Sequence, residues 1–239
     1  MLYYRLNRNT ALIIRMVTDL KLLRLMQLVS PGLPIGMYSY SQGLESAVAD
    51  GWVTNDEETK EWLSGMLHNG LSCIDLPILN RLYSAWENDK PDQVAYWSQQ
   101  LMAYRETAEL RLEDRQSGQA LARLLVSLDF AEMQRWSRHS AATLAAIFSF
   151  VAVQWNIPKQ QILLGYCWSW LENQVLCAVK LVPLGQVAGQ RLLVDLAAEI
   201  PALVAFALTC EEDDIGGSAF SLALASSRHE MLYSRLFRS

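Results

Sequence analysis

The apolar residues of this chain recur at helical spacing along almost its whole length. The first such segment places four apolar side chains on one helical face: Leu22, Leu25, Met26 and Val29. This spacing is typical of an amphipathic α-helix that buries one stripe. No run alternates apolar and polar residues with period two, as a half-buried strand would. The pattern therefore predicts an all-α fold.

Prolines, glycines and capping residues divide the pattern into separate helices. Thr54 and Glu57 predict a capping box at the start of one helix, and Asp75 with Pro77 predicts the start of the next. Five longer helices are predicted over residues 92–114, 139–154, 159–181, 185–200 and 218–237. The connections between them are short. We therefore expect a single-domain helical bundle of about nine or ten helices.

The composition excludes several classes of protein. The chain has 239 residues, of which 51% are hydrophobic and 19% charged, so it is not intrinsically disordered. Its 20 basic and 25 acidic side chains give a net charge of −5. Nucleic-acid binders usually carry a basic face, so we expect no nucleic-acid partner.

Cysteines, chain ends and apolar runs point to the cytoplasm. The four cysteines are far apart and form no CxxC pair, which favours reduced thiols in a cytoplasmic protein. No export signal is visible, and the apolar segment 139–158 is too interrupted for a membrane span.

Residues 1–15 carry three arginines and no acid. They are interpreted as a leader or extension of doubtful order, and residues 16–239 as the single domain.

The segment SPGLPIGMYSYSQGLE, residues 30–45, is too long and too rich in glycine and proline for a simple connector. It lacks the lysine and the spacing of a phosphate loop. One interpretation is a rigid turn whose tyrosines, Tyr38 and Tyr40, pack on the bundle. The other is a rigid loop that presents an aromatic side chain to a protein partner.

The segment 226–239, SSRHEMLYSRLFRS, interleaves arginines with aromatic and aliphatic residues. These residue types dominate the cores of protein interfaces. The sequence leaves two alternatives open: a terminal helix docked on its own bundle, or a surface for a partner.

A charge run, RETAELRLEDR, spans residues 105–115. A solvated helix face is the expected reading, with Arg105 and Glu109 paired at i, i+4. A patch that faces a partner is the alternative.

Catalytic motifs are absent from the sequence. It contains no GxSxG, HExxH or zinc-finger spacing, and its three histidines stand far apart. An enzyme or small-ligand protein with its site around the 159–190 helices is therefore the weaker hypothesis.

Three separated motifs resemble the UreF family of urease accessory proteins: LPIGMYSYSQGLE, VKLVPLGQ at 179–186 and ASSRHEMLYSRLFRS. The resemblance implies an all-α, cytoplasmic, non-catalytic chaperone for nickel insertion. It implies a homodimer that binds a UreD/UreH-type accessory protein, recruits a UreG-type GTPase and serves urease apoprotein. It also implies regulation of GTP hydrolysis. No cofactor would be tightly bound, because the complex handles nickel and the partner binds GTP.

The resemblance also implies a set of partner-binding residues. Tyr38 and Arg235 would form the surface that receives the GTPase, with Gly36 and Tyr40 in the same loop. The terminal segment would bind the UreD-type partner or organise that surface, through His229, Glu230, Tyr233, Leu236 and Phe237. Lys180 and Gln186 are weaker candidates. Met37 departs from the small residue that the family commonly has there.

Overall fold

The structure is a computed structural model that describes the backbone of residues 8–239 and the side chains from residue 18 onward. Over that range it contains α-helices and no strand, which confirms the all-α prediction. The helices are α1 (Arg8–Leu28), α2 (Leu44–Ala49), α3 (Asp56–Met66), α4 (Leu76–Glu87), α5 (Pro91–Tyr104), α6 (Ala108–Ser127), α7 (Leu144–Gln154), α8 (Lys159–Leu181), α9 (Gln186–Ala197), α10 (Ile200–Thr209) and α11 (Phe220–His229).

The predicted leader, 1–15, falls mostly on residues whose side chains lie outside the described part. The backbone of α1 runs through Met16 without interruption. The boundary between a leader and the domain stays a prediction.

Helix α7 forms the centre of the bundle. It is buried from Leu144 to Ala152, and α4 and α6 pack along it. A helix that is apolar on all sides is stable only where other helices surround it. It begins later than predicted, because the Thr143 side chain caps it and residues Trp136–Arg138 form a short 3₁₀ turn.

A π-helical segment, Leu67–Asp75, joins α3 to α4 without a break. The prediction that Asp75 caps a new helix is therefore wrong, since its side chain makes no capping hydrogen bond. The capping box at α3 also lies one residue later than predicted. There Asn55 accepts the N–H of Glu58, whose carboxylate accepts the N–H of Thr54.

The predicted helix 92–114 is broken, because the backbone of Arg105 is extended. Helix α5 ends at Tyr104, and the Thr107 side chain caps α6 by accepting the N–H of Leu110. The break is explained by a contact between Arg105 and Asp75, which is 30 positions away in the sequence. The Arg105 guanidinium turns inward to Asp75 and Asp114, and a continuous helix would not place it there.

The predicted last helix, 218–237, is also wrong. Helix α11 ends at His229, and residues 230–239 run as irregular chain back across α2 and α6. Side chains of those two helices and backbone groups of the loop before α2 supply hydrogen bonds that a helical tail would form internally.

Helices α9 and α10 together make a stretch, Gln186–Thr209, that is long and apolar enough by composition to cross a membrane. An 18-residue window within this stretch has a mean hydropathy of 1.9, and 39% of that window is buried inside the protein. A turn at residues 198–199 divides it into two helices, and Pro201 lies in the first turn of α10. Helix α10 packs against α4 and α8.

Candidate partner-binding surface

All three sequence motifs meet at one small hydrophobic cluster beside the main core. Loop 30–45 leads into α2, VKLVPLGQ spans the end of α8, and the tail is residues 230–239. Together with neighbouring positions, these segments contribute the buried residues Leu44, Ala47, Val53, Cys177, Ala178, Val182, Ala225 and Phe237. The fold therefore joins segments that lie up to about 200 residues apart in the sequence.

Glycine at position 43 allows loop 30–45 to approach α11 closely. Gly43 has φ +77°, and a Cβ there would lie 3.0 Å from the backbone N of Ser226 and 3.1 Å from Cβ of Ala225. Any larger residue would be strained and would push the two segments apart. The loop and α11 are thus fitted to each other at the backbone level.

Glu45, in the first turn of α2, fixes the tail to the loop. Its buried carboxylate accepts the backbone N–H of Leu236 at 2.6 Å and that of Phe237 at 2.9 Å. Hydrogen bonds to an ionised acceptor are stronger than neutral ones. This one side chain therefore replaces the helical hydrogen bonds that the tail lacks.

His229 links Glu45 to α6. The ring is fully buried, with Nε2 3.1 Å from Oε2 of Glu45 and Nδ1 2.8 Å from Oε2 of Glu109. Each ring nitrogen therefore faces a carboxylate oxygen, one on α2 and one on α6. Arg235 donates from Nη1 to Oε1 of Glu109 at 2.8 Å and from Nη2 to the Glu230 carbonyl. The two carboxylates thus face one imidazole ring and one guanidinium.

The last residues of the tail pair with the loop backbone. The N–H of Arg238 donates to the Ser39 carbonyl at 2.8 Å, and the N–H of Ser41 donates to the Ser239 carbonyl at 2.9 Å. The Ser239 hydroxyl donates to Oε2 of Glu113 at 2.8 Å. Burial raises the pKa of Glu113 to about 7, against an ordinary value of 4.5.

The two tyrosines of the loop differ in their surroundings. Tyr40 is buried; its hydroxyl donates to Gln116 at 2.7 Å and its carbonyl accepts from Asn173 at 3.1 Å. Tyr38 is half-buried, and burial together with the Glu172 carboxylate raises its pKa. Tyr40 therefore packs the loop, whereas Tyr38 keeps an accessible edge.

The tail leaves several side chains uncovered. Met231, Tyr233 and Leu236 are 85%, 106% and 65% exposed, and Glu230 and Arg235 are also exposed. Phe237 is only 5% exposed, because it fills the small cluster. Among the tail residues predicted for partner binding, Phe237 is thus structural, and the apolar side chains around it face solvent.

The remaining predicted residues lie at the edge of this surface. Gly36 is exposed, with φ +80°. Lys180 is exposed, and its Nζ lies 5.6 Å from the centre of the Phe237 ring. Gln186 is exposed at the start of α9. No hydrogen bond from Gln186 to the tail is present among the described contacts.

The interpretation of the 105–115 charge run as a solvated face is wrong. Glu109 and Glu113 bind the tail, and Arg105 and Asp114 form a buried ion pair instead of the predicted pair of Arg105 with Glu109. Sequence reasoning missed Glu45, Glu109 and Glu113 as members of the site. Their one signal was spacing, because residues 109 and 113 share a helical face.

Metal ligands do not assemble on this surface. In the part of the chain with described side chains, no group of three or more histidine, cysteine or acidic side chains is arranged to hold a metal ion. Both nitrogens of His229 are already engaged by carboxylates.

Comparison with known proteins identifies the same family that the three sequence motifs resemble. A family model described as UreF matches residues 53–197. A urease accessory protein UreF from Alkalilimnicola ehrlichii is 50% identical over 216 residues, covering 90% of this chain and 95% of that protein. Proteins of the same name from Pseudomonas putida and Teredinibacter turnerae are each 47% identical, over 94% and 92% of this chain and 100% and 99% of their own lengths. The chain belongs to the UreF family of urease accessory proteins.

Proposed function

We propose that this protein is a scaffold for urease maturation that docks a UreD/UreH-type accessory protein and a UreG-type GTPase onto the surface built by loop 30–45 and the tail. The complex would deliver nickel to urease apoprotein and regulate GTP hydrolysis. Membership of the UreF family supports a role in urease maturation, and the arrangement of the loop and the tail supports the choice of surface.

The observation that carries the proposal is the contact between Glu45 and the tail. This contact fixes the backbone of the tail at Leu236 and Phe237. The same segment exposes three apolar side chains to solvent: Met231, Tyr233 and Leu236. Exposed aromatic and aliphatic groups beside arginine are typical of interface hot spots. Fixing them before binding reduces the entropy cost of association.

The two partners use different parts of this surface. Tyr38 and Arg235 receive the GTPase, because each has an accessible portion and a carboxylate neighbour that fixes its polar end. The apolar row of Tyr233 and Leu236 receives the UreD-type protein. Lys180 and Gln186 extend the surface along the end of α8.

The scaffold acts without chemistry of its own. It works as a cytoplasmic homodimer, binds no cofactor tightly, and leaves nickel to the complex and GTP to the GTPase. The net charge of −5 and the packed helices α9 and α10 favour protein partners over nucleic acid or a membrane.

Co-purification with both partners tests this assignment. Tyr233→Ala and Leu236→Ala remove exposed side chains, so we expect an unchanged fold and at least about tenfold weaker binding of the UreD-type protein. Tyr38→Ala and Arg235→Ala should weaken recruitment of the GTPase. Leu128→Ala is the matched control, because Leu128 is also exposed and follows the far end of α6.

Two results would count against the proposal. Variants at Tyr38 and Arg235 that recruit the GTPase and activate urease normally would remove the GTPase assignment. Equal loss of binding in Leu128→Ala would show that the effect is general and does not belong to this surface.

A further inference from the structure

A cavity lies beneath loop 30–45, between the π segment, α6 and α8. It encloses about 90 Å³ and is lined in part by Gln42 and Met37 of the loop and by Gly217 of the segment before α11. None of the partner contacts proposed above uses its interior. A dry, wholly apolar cavity would need no occupant, but the wall of this one mixes apolar side chains with several charged ones.

Acidic groups outnumber basic groups in the cavity wall. Four carboxylates line it, from Asp75, Glu106, Glu113 and Asp114, and the guanidinium of Arg105 is the one cation among the lining residues. Arg105 is already paired with two of them: it binds Asp75 through both terminal nitrogens and donates from Nε to Asp114 at 3.0 Å. The lining residues therefore carry a net negative formal charge, with the Glu106 side chain exposed to solvent and the pKa of Glu113 raised by burial to about 7.

Aromatic rings complete the wall. Tyr104, Tyr166 and Trp170 all line the cavity. Burial and the charges of Asp75 and Asp114 raise the pKa of Tyr166 well above its ordinary value. Aromatic faces beside carboxylates attract cations, by the ring quadrupole and by charge together.

Ser117 provides an independent sign of a missing partner. Its side chain is 2% exposed and lines the cavity, yet its hydroxyl makes no hydrogen bond within the protein. Leaving a buried hydroxyl unpaired is unfavourable, so native sites usually fill such a position. An occupant of the cavity would satisfy it.

We propose that this cavity binds a small organic cation with several N–H donors, of the amidinium or alkylammonium class. In this measure of cavity volume one water needs about 10–15 Å³, so the cavity accommodates several waters or a cation of a few non-hydrogen atoms. The carboxylates accept the N–H groups, the rings cover the carbon atoms, and the Ser117 hydroxyl accepts one further donor. A neutral molecule of the same shape would leave the negative charge unbalanced.

The test compares acetamidinium with acetamide, which have the same heavy-atom skeleton and differ in charge. Binding to the full chain without partners is followed by ligand-detected NMR, with the Trp170 indole as a reporter of proximity. We expect acetamidinium to bind at least about tenfold more tightly than acetamide, with contacts to Trp170.

Two variants localise the binding. Ser117→Ala removes the unpaired hydroxyl, and Glu113→Gln removes one carboxylate; each should weaken acetamidinium binding several-fold or more. Glu132→Gln, a change at an exposed carboxylate in the 3₁₀ turn Ala131–Gln134, is the matched control and should have no effect. Ser117→Ala breaks no hydrogen bond within the protein, so the test stands even if Glu113→Gln folds poorly.

Three outcomes would overturn the proposal. These are equal binding of acetamide and acetamidinium, binding that Ser117→Ala leaves unchanged, and no binding of either probe. The last result would mean that the cavity holds water alone. Because partners are absent from the measurement, its result is independent of the urease-maturation role.

Discussion

The Glu45 carboxylate lies 2.9 Å from the backbone N of Phe237, although the two residues are 192 positions apart in the chain. The same carboxylate accepts the N–H of Leu236 and faces the His229 ring. One acidic side chain thus holds loop 30–45, α11 and the tail together.

Glu45→Gln should release the tail and leave the bundle folded. Glutamine offers one acceptor oxygen and turns an N–H₂ group toward donors, so at least one charge-assisted hydrogen bond is lost. Such bonds contribute about 1.5–3 kcal/mol, which predicts roughly 10- to 100-fold faster amide exchange in residues 230–239. Hydrogen exchange with mass spectrometry measures this directly. Glu61→Gln, a change at an exposed carboxylate on α3, should leave exchange in the tail unchanged.

His229→Leu should destabilise the whole protein. The change leaves the Glu45 and Glu109 carboxylates without the imidazole ring that lies between them. Leaving a buried polar group without its hydrogen-bond partner costs about 1–3 kcal/mol, and more for a charged group. Urea unfolding should show a loss of this order, whereas Glu230→Gln, at the exposed neighbouring position, should stay within about 0.5 kcal/mol of wild type. Equal effects of the two changes would contradict the role given to His229.

Arg105→Leu should be among the most damaging single changes. It leaves Asp75 and Asp114, both buried, facing each other without a counter-ion. We expect a loss of about 3–5 kcal/mol in the free energy of unfolding. Arg228→Leu is the matched control, because Arg228 pairs with Asp50 at the exposed surface and such pairs contribute about 1 kcal/mol or less.

The stability of the protein should depend on pH through Glu113. Its pKa is raised from 4.5 to about 7 in the folded protein, so the folded state holds a proton that the unfolded chain releases more readily. This contribution is fully present below pH 4.5 and is lost as pH rises to about 7. The full shift corresponds to at most about 3 kcal/mol.

Glu113→Gln isolates this effect, because glutamine has no proton to lose. Unfolding free energies of wild type and variant should diverge as pH rises from 4.5 to 7, with the wild type falling relative to the variant, and then run parallel. Parallel curves across the whole range would show that Glu113 titrates normally.

Helix boundaries set by local residues were predictable from the sequence. Helix α8 spans Lys159–Leu181, as predicted, because Pro158 precedes it and Pro183 follows it. The apolar segment that contains α7 was also predicted to be a core helix, because its composition leaves no polar face.

Boundaries set by distant partners were not predictable. The break after Tyr104 depends on Asp75, which is 30 positions from Arg105 in the chain. The end of α11 at His229 depends on Glu45, which is 184 positions away in the chain. Helical periodicity continues through both places, because it reports local spacing and carries no information about which charge will be buried beside which.

The candidate site was likewise only partly predictable from the sequence. The motifs pointed to the loop, the tail and the end of α8, and these segments meet in the structure. The carboxylates that join them come from α2 and α6. Glu45 is the last residue of the loop motif, and Glu109 and Glu113 share a helical face, but these local features do not indicate which distant groups the carboxylates bind.

The separation between Glu45 and Phe237 has a consequence for how the protein is made. Ribosomes add about 5–20 residues per second, so Glu45 is synthesised roughly 10–40 seconds before its tail partner. During that interval the loop has no tail to complete it. A nascent or prematurely terminated chain can fold much of its bundle and still lack the finished surface.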